Sequence, residues 1–334
     1  MVLAGLFGLL LGGCGDSRES SVQVVEAGVF ARTAEATSSM KSARFEIRET
    51  KLGGGVSTHV TGSVDLVTHR VAATSTITIT LEPSEPMDPS TSAAFDTPTE
   101  YVLTEDTVFL RGGAGAALQR DKTTESLETL QRRWLSIDTA RLGEKWKTDL
   151  QSSFAQPEKV WQRIASVSSE PQRIGEEQVR GVSTTHWKAT ISLAELVALE
   201  KESGSDDTLD ITKLGTLANE RVVLVEVWID KLGRIRRQTD SVDVDAAIAA
   251  WRRDRPPTTT LPSAVAPATS RGQLPDISRL LNQPELSDAF AEGSLRHALE
   301  STSTLELYDI DENIQIDLPL DAVDITDQLN KPGQ

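Results

Sequence analysis

An α+β fold, antiparallel strands laid against amphipathic helices, is the architecture this sequence predicts. Three observations carry it. Apolar and polar residues alternate with a period of two at Ala43, Phe45 and Ile47 against Arg44, Glu46 and Arg48, and again at Trp187, Ala189, Ile191 and Leu193 against Lys188, Thr190 and Ser192. Residues 101–110 and 222–238 each read as two β-rich runs around a turn. Segments 20–40 and 157–165 place apolar residues at helical spacing, Val22, Val25, Val29 and Ala36 in the first and Val160, Trp161, Ile164 and Ala165 in the second. A one-faced sheet and one-faced helices each need a covering layer, so they are expected to cover one another.

The chain starts with an uncharged apolar run, MVLAGLFGLLLGG, followed by Cys14 and the polar GDSRESS. At about 1.5 Å per residue this run is too short for a hydrocarbon core roughly 30 Å thick, and its length suits a secretory signal. Leu11-Gly12-Gly13-Cys14 resembles a bacterial lipobox. That resemblance implies cleavage before Cys14, diacylation of its thiol, and attachment of the mature chain to the extracytoplasmic face of the cell membrane. Two acyl chains at about 0.8 kcal/mol per buried CH₂ suffice for stable anchoring. Residues 1–13 are then the signal peptide and 14–19 a tether.

The elements follow in order. A first helix is expected over Ser20–Met40, a strand from Ala43, a turn at Gly53–Gly55, and β-rich runs at Ser57–Val71 and Ala72–Leu81. Four prolines between 82 and 98 predict a loop. A hairpin follows at Tyr101–Leu103 and Val108–Leu110, then a short strand at Trp134–Asp138 and a helix opened by Pro157. Thr184–Leu193 is the clearest strand, and VVLVEVWID at 222–230 turns at Lys231–Gly233 and returns as Arg234–Gln238. Residues 252–271, rich in Pro, Thr and Ala, read as an extended linker. Short helical patterns and a closing strand pair, Thr304–Tyr308 and Ile314–Leu318, come next, ahead of a frayed tail at 321–334.

Composition narrows the function. A formal net charge of -16 would repel a phosphate backbone, so no nucleic acid partner is expected. One cysteine cannot make an internal disulfide, and 4 histidines set far apart do not build a Cys/His zinc cage. There is no Gly-x-Ser-x-Gly elbow, no Lys-Ser/Thr phosphate loop and no dinucleotide-binding glycine pattern, so neither enzyme nor cofactor is expected. His186 falls on the face opposite the apolar series, where an exposed strand histidine is expected. Asp309, Asp311 and Asn313 superficially suggest a calcium loop, but Ile314 and Leu320 stand where Gly and Glu belong. Asp206, Asp207 and Asp210 read as a solvated loop.

Several stretches taken in order resemble the LolA-like lipoprotein superfamily, in particular the actinobacterial LppX and LprG kind. They are ARFEIRE at 43–49, EYVLTEDTVFLRG with RRWLSID at 100–112 and 132–138, RIGEEQVRGVSTTHWKATISL at 173–193, VEVWIDKLGRIRR at 225–237, and LELYDIDENIQIDLP at 305–319. The resemblance implies a curved antiparallel half-barrel folded over helices, made by 20–243 plus 304–320, with an apolar cavity that receives the chains of a lipid or lipoglycan. Phe45, Ile47, Phe109, Trp187, Ile191, Val225 and Val227 would line that cavity; the strand pattern by itself is equally that of a solid core. Residues 244–303 depart from the family and are expected to cap the cavity, fill it, or form a lobe that docks an envelope protein. The alternative reading is therefore a packed scaffold or protein-interaction module with no ligand.

Overall fold

The structure, a computed structural model, describes residues 28–51, 55–80, 97–119, 124–143, 154, 157–165, 167, 171–202, 217–253, 296 and 299–330. Cys14 with all of 1–19, residues 81–96 of the expected loop, the acidic stretch 203–216 and residues 254–295 lie outside the described residues.

The strands are β1 (Ser42–Lys51), β2 (Val56–Asp65), β3 (Arg70–Ile79), β4 (Thr99–Leu103), β5 (Thr107–Gly112), β6 (Leu135–Asp138), β7 (Gln172–Val179), β8 (Val182–Ile191), β9 (Val223–Asp230), β10 (Ile235–Val242), β11 (Thr302–Tyr308) and β12 (Val323–Asp324). The helices are α1 (Val29–Ser38), α2 (Gly113–Gln119), α3 (Leu127–Arg132), α4 (Pro157–Ala165), α5 (Leu193–Glu202), α6 (Val244–Arg253) and α7 (Thr326–Leu329).

All strands join one curved, unclosed sheet in the order β12-β6-β5-β4-β3-β2-β1-β11-β10-β9-β8-β7. Two meanders, β1–β6 and β7–β10, are stitched together by β11, which pairs antiparallel with β1 on one side and β10 on the other. Every pairing is antiparallel except the short parallel contact of β12 with β6, so the sheet is mixed at that edge.

Tight turns set the registers. Arg180 and Gly181, with φ of 48° and 79°, form the two-residue loop of the β7–β8 hairpin, the left-handed pair that a type I′ turn requires. Between β9 and β10 the carboxylate of Asp230 accepts from the backbone N–H of Leu232 (2.8 Å) and Arg234 (3.0 Å). Asp65 does the same after β2, accepting from Val67 and Thr68 at 3.0 and 3.2 Å. This turn divides the run read as one strand over Ser57–Val71.

One face of the sheet is the core. Leu135, Leu110, Tyr101, Ala73, Gly62, Phe45 and Leu307 sit opposite one another across β6, β5, β4, β3, β2, β1 and β11. Gly62 is required there: an added Cβ would lie 2.5 Å from the Ala72 carbonyl oxygen and 2.8 Å from Cζ of Phe45. Helices α1 and α4 pack on one another, and Phe30, Ala34, Trp161 and Ile164 share a single apolar cluster with the sheet. Thr37 fastens α1 by accepting from the Ile235 N–H at 3.0 Å.

Three further differences from the sequence reading have plain causes. Ile314–Leu318 is not a strand: both edges of β11 are occupied, so no ladder is open to it, and the segment is held instead by Arg70 donating to the Ile316 carbonyl at 3.2 Å. Residues 321–330 are not frayed, because Ile325 and Leu329 are buried and the Thr326 hydroxyl accepts from the Asp138 N–H at 2.8 Å. The start of 244–303 belongs to the common core, since α6 buries Ala247, Ile248, Ala250 and Trp251 in it.

Candidate functional site

Of the seven residues expected to line a cavity, six share the core face. Trp187, Val227 and Ile47 stand in one cross-strand row, which runs through Gln238 and Leu305. Phe45 and Val225 lie in the adjoining rows and Ile191 one row beyond Val225, and all six are buried in the same cluster. Phe109 does not join them. On β5 it alternates with the buried Val108 and Leu110, which places it half-buried on the opposite face, across from Val102 and Ser136.

The core face is filled over most of its length. Where β8, β9 and β10 meet the helices, a nook of about 20 Å³ lies among the described residues, room for a single water molecule. Its floor is Ile191, Val223, Val225, Gln238 and Asp240, and its roof is Ile164 of α4, Val167 and Leu196 of α5. Gln238 is 2% exposed, and its amide nitrogen donates to both oxygens of Asp240 at 3.2 and 3.1 Å. The amide oxygen has no hydrogen-bond partner. Sequence reading missed this pair, although two polar residues alternating on the strand partner of VVLVEVWID are visible as an interruption of an apolar face.

The other face carries a charged ladder. Glu46 of β1 and Glu306 of β11 are directly paired, and both are buried. Arg237 of β10 donates to Glu306 at 2.8 Å. Arg180, at the tip of the β7–β8 hairpin, reaches over the ring of Tyr308 at 4.0 Å, donates to Glu306 at 2.7 Å and also pairs with Glu46. His59 and Arg48 complete the surround of Glu46, His59 at 2.7 Å. Burial pushes both carboxyls up, but hydrogen bonds and charge outweigh it. His59, Arg48 and Arg180 hold Glu46 below the usual carboxylate range, and Arg180 with Arg237 does the same for Glu306.

His186 belongs to this face and is not the exposed histidine expected. It is buried at 6% exposure, stacked on Trp228 with ring centroids 4.1 Å apart, and its Nδ1 lies 3.0 Å from Glu177. Trp228 donates its indole N–H to the same carboxylate at 2.8 Å. The hydrogen bond from Trp228, ahead of those from His186, keeps the Glu177 carboxyl below its ordinary value despite partial burial. Asp309 and Asp311 serve the chain's own cations, Asp309 facing Arg44 at 3.5 Å and Asp311 facing Arg234 at 2.9 Å. No group of three metal-ligating side chains occurs among the described residues, and no described helix is long and apolar enough to cross a membrane.

No family model matches the chain. Over 98 residues it is 26% identical to an uncharacterised 31.2 kDa protein of Streptomyces griseus from the rplA–rplJ intergenic region, covering 29% of this chain and 31% of that one. The chain thus matches about a third of the length of this curated relative. Among solved structures it is similar to the lipoprotein LppX of Mycobacterium tuberculosis, at 14% identity and a TM-score of 0.39, covering 86% of this chain and 98% of that one. LprF from Mycobacterium bovis gives 10% identity and a TM-score of 0.41 over 87% and 95% of the two chains. A DUF1329 family protein from Desulfovibrio piger gives 9% and 0.20 over 88% and 95%. Likeness at these identities concerns the fold and says nothing of a ligand. The fold of this chain, an α+β half-barrel, follows from its own curved, unclosed sheet of 12 strands and the helices packed on it.

Proposed function

We propose that this chain is a membrane-anchored extracytoplasmic lipoprotein that binds a lipid or lipoglycan between the core face of its sheet and the roof of α4, Val167 and α5. The observation that carries the reading is the nook, whose roof is apolar, whose floor is apolar apart from Gln238 and Asp240, and whose two sides come from separate elements. At about 20 Å³ it admits no acyl chain as it stands, so binding requires α4 and α5 to draw back from β8–β10. Each CH₂ then buried contributes about 0.8 kcal/mol, and no catalytic step is needed. Cys14, within its lipobox-like sequence, supplies the diacylglyceryl anchor.

The test is to export the chain from Gly15 onward behind a cleavable signal in a bacterial host, extract the purified protein with organic solvent, and weigh the extract by mass spectrometry. Lipid in stoichiometric amount is the expected result. Its absence would leave the second reading, which the tight packing of the core favours: a tethered scaffold whose acidic surface meets an envelope protein. The anchor is tested separately. Metabolic labelling with palmitate is expected to mark the full-length chain and to be abolished in Cys14→Ala; label retained in that variant would refute lipidation at this residue.

A further inference from the structure

The nook is apolar except along β10, where Gln238 and Asp240 line it, and that polar edge has a definite chemistry. Gln238 projects from β10 onto the core face in the same row as Val227 and Leu305. Its amide is oriented by Asp240, whose carboxylate takes the NH₂ group through both oxygens, and this leaves the amide oxygen buried and unpartnered against the apolar wall. A buried acceptor without a donor is unfavourable unless something brings one. The second polar group lining the nook, Asp240, is an acceptor as well.

We propose that Gln238 is the polar contact of the bound lipid, and that it selects a cargo whose headgroup offers hydroxyl hydrogens, as glycerol or a sugar does, over one that offers only anionic oxygens. A phosphate or carboxylate would set acceptor against acceptor at Gln238; a hydroxyl donates to the amide oxygen and lets the attached chain run along Ile191, Val223 and Val225. The assignment rests on the lipid-binding reading above and adds to it the class of headgroup.

The experiment uses the chain from Gly15 onward and two probes, monopalmitoylglycerol and its di-O-methyl ether, titrated below their critical micelle concentrations. The unaltered protein is expected to bind the diol about tenfold more tightly than the ether, the worth of one hydrogen bond to a buried group. Gln238→Leu should lose that preference by weakening for the diol alone, with its circular dichroism unchanged; Gln238→Met, closer in shape, takes its place should the leucine variant not fold. Equal binding of both probes by the unaltered protein, or a preference that survives in the variant, overturns the role of Gln238 and leaves lipid binding standing. Failure of both probes to bind overturns both, and makes the amide oxygen the partner of a buried water.

Discussion

Arg180→Ala is expected to lower the unfolding free energy by about 2–3 kcal/mol near neutral pH and by less near pH 3. The arginine is the element that closes the outer ladder: it bridges Glu46 and Glu306, which are only 8% and 7% exposed. Removing one partner of a fully buried pair costs about 3–5 kcal/mol, and the lower figure used here allows for a guanidinium 37% exposed and for the remaining cations Arg48, His59 and Arg237. Both carboxyls are held below the ordinary value of 4.5 in the folded chain. A depressed folded pKa means stability that is present above about pH 4.5 and is lost as pH falls through the folded value. In the variant, burial pushes the same carboxyls up with less to oppose it, so their ionised forms no longer add that stability above about pH 4.5; protonation removes the difference, and the two proteins converge in acid. Urea titrations at the two pH values decide the matter. A loss of equal size at both would place the effect in the turn, not in the ladder. Arg180→Gly serves as the control, because it relieves the left-handed backbone at φ 48° while removing the same charge.

The legible part of this fold is the part governed by period. Phe45 and Ile47, or Trp187, Ala189 and Ile191, announce which face is apolar because a strand offers only two faces, and the core face of β1 and β8 follows from that alone. Phe109 shows the limit of period where it is broken: Val108, Phe109 and Leu110 are all apolar, and the phase of β5 is set by Val108 and Leu110, which face Leu103 and Tyr101 across the ladder. Helix α5 was passed over because Leu193 continues the alternation of β8. The signal was present in Ser192-x-x-Glu195, where each residue's side chain accepts from the other's backbone N–H, at 2.7 and 3.1 Å, a capping box that stops the strand and starts the helix.

His186 and the charged ladder were not legible, since nothing local says that an outward face will be covered. The cover comes from Arg180 meeting Glu46 and Glu306 at sequence separations of 134 and 126, and from Glu177 folding over Trp228. The nook was equally out of reach. Whether two apolar layers meet or leave a gap is a matter of volumes, and pattern does not carry volume. Gln238 is the exception within it, a polar residue on a strand whose partner is almost wholly apolar, and so the one member of the candidate site that composition along the strand marks out.

Phe45→Ala is expected to cost about 3–5 kcal/mol, the largest effect of any substitution considered, and Gly62→Ala about 2–3 kcal/mol, for what is one interaction seen from its two sides. Phe45 is fully buried and directly opposite Gly62, whose missing side chain leaves the space that the ring takes. Truncating the ring empties the middle of the row that joins Leu110, Tyr101 and Ala73 to Leu307, and the two neighbouring strands fix the backbone too firmly for the gap to collapse. Adding a methyl at 62 does the reverse, forcing a Cβ to 2.8 Å from the ring. If the ring alone were in the way, the double variant would recover the whole cost of the added methyl. It is not alone: the same Cβ comes within 2.5 Å of the Ala72 carbonyl oxygen and 2.6 Å of the Ala73 Cβ, and the first of these is backbone in a paired strand. The double variant is therefore expected to be more stable than the sum of the singles by about 1 kcal/mol and no more. Equilibrium urea unfolding of the four proteins measures this directly. Strict additivity would mean that the ring does not own the space over Gly62, and full recovery would mean that β3 yields where its ladder says it should hold.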